Sequence, residues 1–290
     1  MTILFATSVK KSKRILTYRK LLFSNIGSLK PFNVSSALEN ILQIKEINVE
    51  INNSAIDYSR KLATITNITN SLHGIRLVNI VASKFESMRK EQFNKNNKNH
   101  LITLDKLWLA LKPDVRRTPQ TDPSGSSPAL LLSADWSEIG FQRSDPSTDF
   151  RGMGLLGLMQ LVYFCECKPN VARSILTVSS DPQKYYPFAI TGINITAFLL
   201  ELLNGTHLHR LIFDNIEKLA LENAGKFAAD GCSSDSEAIT SSCNVLNEFY
   251  CFIFEEFHNL WQARNPRNVM DFPKIFNELK NDIRYNFPAL

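Results

Sequence analysis

Trp136-Ser137-Glu138-Ile139-Gly140-Phe141-Gln142 is followed by Arg143-Ser144-Asp145-Pro146, then by Thr148-Asp149-Phe150-Arg151-Gly152-Met153-Gly154-Leu155-Leu156-Gly157 and an almost wholly apolar run from Leu158 to Cys165. Within this stretch a polar loop becomes an apolar helix. Arg151 falls at the changeover, just after Asp149-Phe150 and just before Gly152. An arginine so placed has a fixed base and a free tip, which is what a protein needs if it lends a guanidinium to another protein's active site. Thr148 or Asp149 is positioned to cap the helix that follows. Gly152 removes the neighbouring side chain, so a second protein can come close. Trp136 and Phe141 are expected to anchor the loop to a core. A competing reading pairs Arg151 with Asp149 or Asp145, so that it does no more than close the loop.

The rest of the chain reads as helix almost throughout, with no sustained alternation of apolar and polar residues. Residues 36–66 and 72–92 are expected to form two long, rather polar helices, followed by the solvated run Asn94 to Asn99. Leu101, Leu104, Trp108 and Leu111 recur at helical spacing until Pro113 stops them. Residues 113–128 carry four prolines and Gly125 and read as a linker. Beyond the quoted stretch, helices are expected over about 170–179, from Pro187 to Leu203, and over about 206–224. Gly231 to Ser242 reads as a polar break. Phe249, Phe252, Ile253, Phe257, Leu260 and Trp261 then make a core stripe, and Phe272, Ile275, Phe276, Leu279 and Ile283 make another. The expected fold class is all-α, a multi-helix bundle.

With 290 residues, 44% hydrophobic and 21% charged, the chain is long enough to bury a sizeable core. Its net charge of +5 is mild, and no groove-reading motif accompanies it, so nucleic acid is not an expected partner. No acid precedes Glu39, whereas Lys10, Lys11, Lys13, Arg14, Arg19, Lys20 and Lys30 all do. Three readings of residues 1–38 stay open: a transit-type presequence, a segment drawn to an anionic membrane surface, and a basic first helix docked on the rest. The expected location is the cytoplasm, with peripheral association at an organelle membrane, the mitochondrion or the endoplasmic reticulum being alternatives. No apolar run reaches the ~18 residues of a membrane span. Five cysteines, with no Cys-x-x-Cys pair, point to reduced thiols.

Gly152-Met153-Gly154-Leu155-Leu156-Gly157 fits a dinucleotide-binding pattern only literally. A loop instead of a strand precedes it, and no acid lies about twenty residues on to hold a ribose. The glycines are better read as sites of close helix approach. His207 and His209 fall on different faces of a helix, and no ligand set completes a metal site. His258 reads as a hydrogen-bonded packing residue. With no nucleophile–base constellation, the chain is expected to have neither an active site of its own nor a cofactor.

Trp136, Gly140-Phe141-Gln142, Pro146, Asp149-Phe150-Arg151-Gly152, Gly154, Leu156-Gly157-Leu158 and Leu161-x-Tyr163-Phe164 together resemble the signature of the ELMO domain, in the form found in the short ELMO-domain-containing (ELMOD) proteins. Leu107-Trp108 through Pro113, Tyr186 through Thr196, and Glu256-Phe257 through Phe272 resemble further family segments. The likeness runs over residues 100–290, leaving 39–99 as looser N-terminal helices and 1–38 as the basic segment. The polar run 231–242 and the Asn-rich stretch before Leu101 depart from the family pattern. The resemblance implies activation of Arf-family small GTPases, including the Arl branch, with Arg151 as the essential arginine and no cofactor or metal. On physical grounds Asp149 is expected to orient Arg151 before docking, with Trp136, Phe141, Gln142, Pro146, Gly152 and Gly154 as motif and support residues. Gln142 is expected to hold the loop through its amide, contact with the nucleotide or the attacking water being the alternative. Trp136 and Phe141 are expected to support the loop, partner contact being the alternative. A non-catalytic scaffold that binds a GTPase or its exchange factor is the second functional reading.

Overall fold

The computed structural model describes residues 58–118, 133–223 and 231–288. The basic segment 1–38, the first part of the expected 36–66 helix and most of the 113–128 linker lie outside the described residues. Among those described, the secondary structure is α-helix and short 3₁₀ helix, with no strand.

Helix α1 (Tyr58–Lys90) buries Ile68, Leu72, Ile75, Val78, Ala82 and Phe85, one face at helical spacing. The expected gap between residues 66 and 72 does not occur. Asn67, Thr69, Asn70 and Ser71 are weak helix formers, but Ile68 among them and Leu72 just after are buried and carry the helix through. Arg89 and Lys90 close the last turn, where cations favour the dipole. In α2 (Lys98–Leu111) the Asn97 side chain accepts the Asn99 N–H as an N-cap, and Trp108 donates its indole N–H to the Val115 carbonyl at 2.7 Å.

Two 3₁₀ helices follow, Ala134–Ile139 and Pro146–Arg151. Helix α3 (Gly154–Cys167) is apolar nearly all round because it is a core helix. It packs against α2, α4 (Pro169–Ser179) and α5 (Phe188–Asn204). Phe164 stacks on Phe254 of α7 (Gly231–Arg264), with ring centroids 4.8 Å apart. Helix α6 (His209–Asn223), a third 3₁₀ helix (Val269–Asp271) and α8 (Phe272–Asn286) complete the described set.

The run Gly231–Ser242, expected as a break, is the first part of α7. Local composition there is overridden by contacts: Asp235 accepts from His73 at 2.9 Å and pairs with Arg76, and Asn215 donates to Ser241 and Ser242. The aromatic stripe of α7 is core as expected for Phe249, Ile253, Phe257 and Trp261. Phe252 is exposed, and Leu260 is only half-buried.

Two compact units can be recognised. One comprises α1 up to Ser83, α6, and α7 up to Ser242; it buries Leu72, Ile75, Val78, Ile212 and Phe213. The other runs from Lys84 to Leu208 and resumes at Cys243; it contains α2, the 3₁₀ helices, α3, α4, α5 and α8. Trp136 and Arg151 both belong to this second unit. No single described helix is long and apolar enough to cross a membrane.

Candidate functional site

The site is a loop with an aromatic spine under it. Trp136 is fully buried and meets Trp108 and Phe141 edge-on, each at 5.7 Å between centroids. Phe141 meets Phe150 at 5.6 Å, and Phe150 stacks on Phe93 at 5.7 Å. Each such pair adds about 0.5–1.5 kcal/mol beyond its burial. Trp136 and Phe141 thus support the loop. Both rings are buried beneath the loop. Arg117 covers the Trp136 ring at 4.2 Å and pairs with Asp105.

Both ends of the loop need glycine. At Gly140 φ is +85°, and a Cβ there would sit 2.3 Å from the Phe188 backbone nitrogen. At Gly154 φ is +53°, and a Cβ would sit 2.2 Å from the Arg89 carbonyl oxygen and 2.5 Å from that of Glu91. The Glu91 carbonyl also accepts the Leu155 N–H at 2.7 Å. The end of α1 therefore clasps the start of α3 through backbone alone.

Between these points the chain is tied down bond by bond. Pro146 is buried at the first position of the second 3₁₀ helix, and Asp145 caps it by accepting from the Ser147 N–H and hydroxyl. The Thr148 hydroxyl donates to the Asp145 carbonyl at 3.1 Å. Ser133 N–H donates to the Ser144 carbonyl at 3.0 Å. The Asp149 carboxylate accepts the backbone N–H of Gln142 at 3.0 Å, closing the loop across seven residues.

Two expectations fail here. Neither Thr148 nor Asp149 caps α3, whose N-terminal neighbour, Met153, makes no side-chain cap; both residues are spent inside the loop instead. Gln142 holds the loop by its backbone, and its side-chain amide is exposed and makes no hydrogen bond among the described residues.

Arg151 ends the second 3₁₀ helix and is exposed. Its Nε donates to the Thr148 carbonyl at 2.8 Å. Among the described residues it makes no ion pair, so the pairing with Asp149 or Asp145 that would merely close the loop is absent. Asp149 bears on Arg151 by charge alone: burial raises its carboxyl pKa, while the Gln142 N–H and the charges of Arg143 and Arg151 work in the opposite direction. The guanidinium is thus gripped at its root by a backbone carbonyl on an exposed side chain, and its terminal amines make no hydrogen bond among the described residues. Next to it, a Cβ on Gly152 would meet nothing within 4 Å.

Phe93, the clasp from Arg89 and Glu91, and the Thr148 carbonyl were not legible beforehand. Phe93 adjoins a polar run, and the others act through backbone atoms that carry no residue-type signal. No group of metal-binding side chains occurs among the described residues. His258 accepts or donates at Nδ1 with the Tyr186 hydroxyl at 2.8 Å, the packing role expected of it.

Residues 83–276 match the family model described as ELMO/CED-12 family. The chain belongs to the ELMO/CED-12 family. It is similar to ELMO domain-containing protein B of Dictyostelium discoideum, with 32% identity over 98% of this chain and 83% of that protein. It is 31% identical to mouse ELMO domain-containing protein 1, over 97% of this chain and 77% of the relative. Human ELMO domain-containing protein 2 is 32% identical over 64% of this chain and 53% of its own length. No solved structure gave a significant match. The matched span of the ELMO domain takes in the whole loop from Trp136 to Gly154, and it begins at the end of α1, where the Arg89 and Glu91 carbonyls lie.

Proposed function

We propose that this ELMO-domain protein is a GTPase-activating protein for an Arf- or Arl-type small GTPase, and that Arg151 is the arginine it donates. One observation carries the reading: a guanidinium held at Nε, and unpaired at both terminal amines among the described residues, stands beside an open glycine on a loop fixed at both ends. GTP hydrolysis by a small GTPase is slow because charge developing on the phosphates is incompletely neutralised. An arginine supplied in trans raises the rate by roughly 10³–10⁵, or about 4–7 kcal/mol of barrier. Catalysis of this kind is positioning plus electrostatics, so the activator needs no nucleophile, cofactor or metal of its own. The planar fork spans two oxygens at once, and lysine is a poor substitute. Holding Nε to a carbonyl lowers the entropy lost when the fork engages. Peripheral association with an anionic membrane through the basic segment 1–38 would bring the activator to a membrane surface.

The test is a GTP hydrolysis panel across Arf and Arl proteins, with wild-type and Arg151→Lys activators side by side. Stimulation of a subset by the wild type, lost in the variant, is the expected result. A folded variant that still stimulates, or a wild type that stimulates none while binding a GTPase, would favour a scaffold.

A further inference from the structure

Arg143 is a second exposed arginine on the same loop, and the loop's own architecture leaves it unused. Gln142, immediately before it, is fixed by its N–H to Asp149, and Ser144, immediately after it, is fixed by its carbonyl to the Ser133 N–H. The backbone at Arg143 is therefore pinned on both sides. Its side chain is exposed and makes no hydrogen bond or ion pair among the described residues. Arg151 is held in the same frame, because its Nε anchor, Thr148, adjoins the Asp149 that fixes Gln142. Two guanidinium tips thus project from one rigid frame. The carboxylate of that frame, Asp149, is occupied by a backbone N–H and forms an ion pair with neither arginine.

We infer that Arg143 is a docking residue for the same GTPase, pairing with a carboxylate on the partner's surface while Arg151 engages the phosphates. The inference rests on the activator reading above. An unpaired, fixed cation complements an acidic patch and speeds encounter, with an effect that salt screens. Its contribution lies in binding and not in the transition state, where one arginine already serves. Arg143 is thus a docking residue, not a catalytic one.

The test uses the full chain and a GTP-loaded GTPase that the wild type stimulates. Single-turnover hydrolysis over a range of activator concentrations gives the maximal rate and the half-saturating concentration. For Arg143→Ala the half-saturating concentration is expected to rise roughly 5–10-fold at low salt, with the maximal rate unchanged. Arg143→Glu should raise it further, Arg143→Lys should restore most of it, and the salt dependence of Arg143→Ala should be shallower than that of the wild type. An unchanged half-saturating concentration overturns the inference, and so does a fall in maximal rate at unchanged half-saturation, which would make Arg143 a second catalytic arginine. Wild-type protein that stimulates no GTPase sinks the activator reading and this inference with it. Stimulation by the wild type that Arg143→Ala reproduces in full sinks only the inference.

Discussion

Replacing Gly154 with alanine should cripple the site without touching Arg151. Gly154 has φ +53°, and an added Cβ would lie 2.2 Å and 2.5 Å from two backbone oxygens, which no rotamer change can relieve. The left-handed conformation alone costs a non-glycine residue about 1–2 kcal/mol. Relief of the clash requires α3 to move off the end of α1, breaking the Leu155 N–H to Glu91 carbonyl bond at 2.7 Å. A buried backbone group left unpaired costs a further 1–3 kcal/mol or so. Together these give a destabilisation of roughly 2–5 kcal/mol. Gly152→Ala is the control: its φ is −81° and its Cβ would meet nothing within 4 Å, so stability should change by less than about 0.5 kcal/mol. Urea unfolding of both variants, followed by far-ultraviolet circular dichroism and by tryptophan fluorescence, measures the difference. Tryptophan reports on the unit that holds Trp108, Trp136 and Trp261. Near-equal midpoints for Gly154→Ala and wild type would refute the backbone clasp.

Further outcomes are equally specific. Trp136→Ala removes a fully buried ring from between Trp108 and Phe141 and should cost about 3–5 kcal/mol, read as a lowered urea midpoint. Asp149→Asn keeps an oxygen for the Gln142 N–H, and Arg151 is held by Thr148, so stimulated hydrolysis should stay within about threefold of wild type; a loss of a hundredfold would restore Asp149 as the orienting group. The Asp149 pKa is raised on folding, so its ionised form disfavours the native state, and stability falls as pH rises from the unfolded carboxyl value through the folded one. Asp149→Asn should flatten that part of the acid limb in a midpoint-versus-pH series. His258 behaves oppositely: burial and Lys184 lower its pKa, so stability is lost as pH falls from about 6.5 toward the folded value, and His258→Asn should reduce that loss.

The all-helical class, the core stripes and the place of Arg151 were legible in residue types, because burial periodicity and loop-to-helix changeovers leave local marks. Trp136 and Phe141 as anchors were legible for the same reason. What grips Arg151 was not: an acid two residues away is visible in sequence, but the Thr148 carbonyl that takes the hydrogen bond exists at every residue. The role of Gly154 is likewise written more than sixty residues away, in two carbonyls at the end of α1. Continuity of α7 through Asp235–Ser242 defied composition because the contacts there come from distant residues, His73 and Asn215, and α1 runs through Asn67–Ser71 because Ile68 and Leu72 are buried.

The most direct test of the account is single-turnover GTP hydrolysis by a responsive Arf- or Arl-type protein with saturating wild-type or Arg151→Lys activator, with partner affinity measured alongside. The variant is expected to fold and to bind within a few-fold of wild type, with stimulation lower by at least about a hundredfold. Undiminished stimulation by Arg151→Lys, at equal affinity, would contradict it.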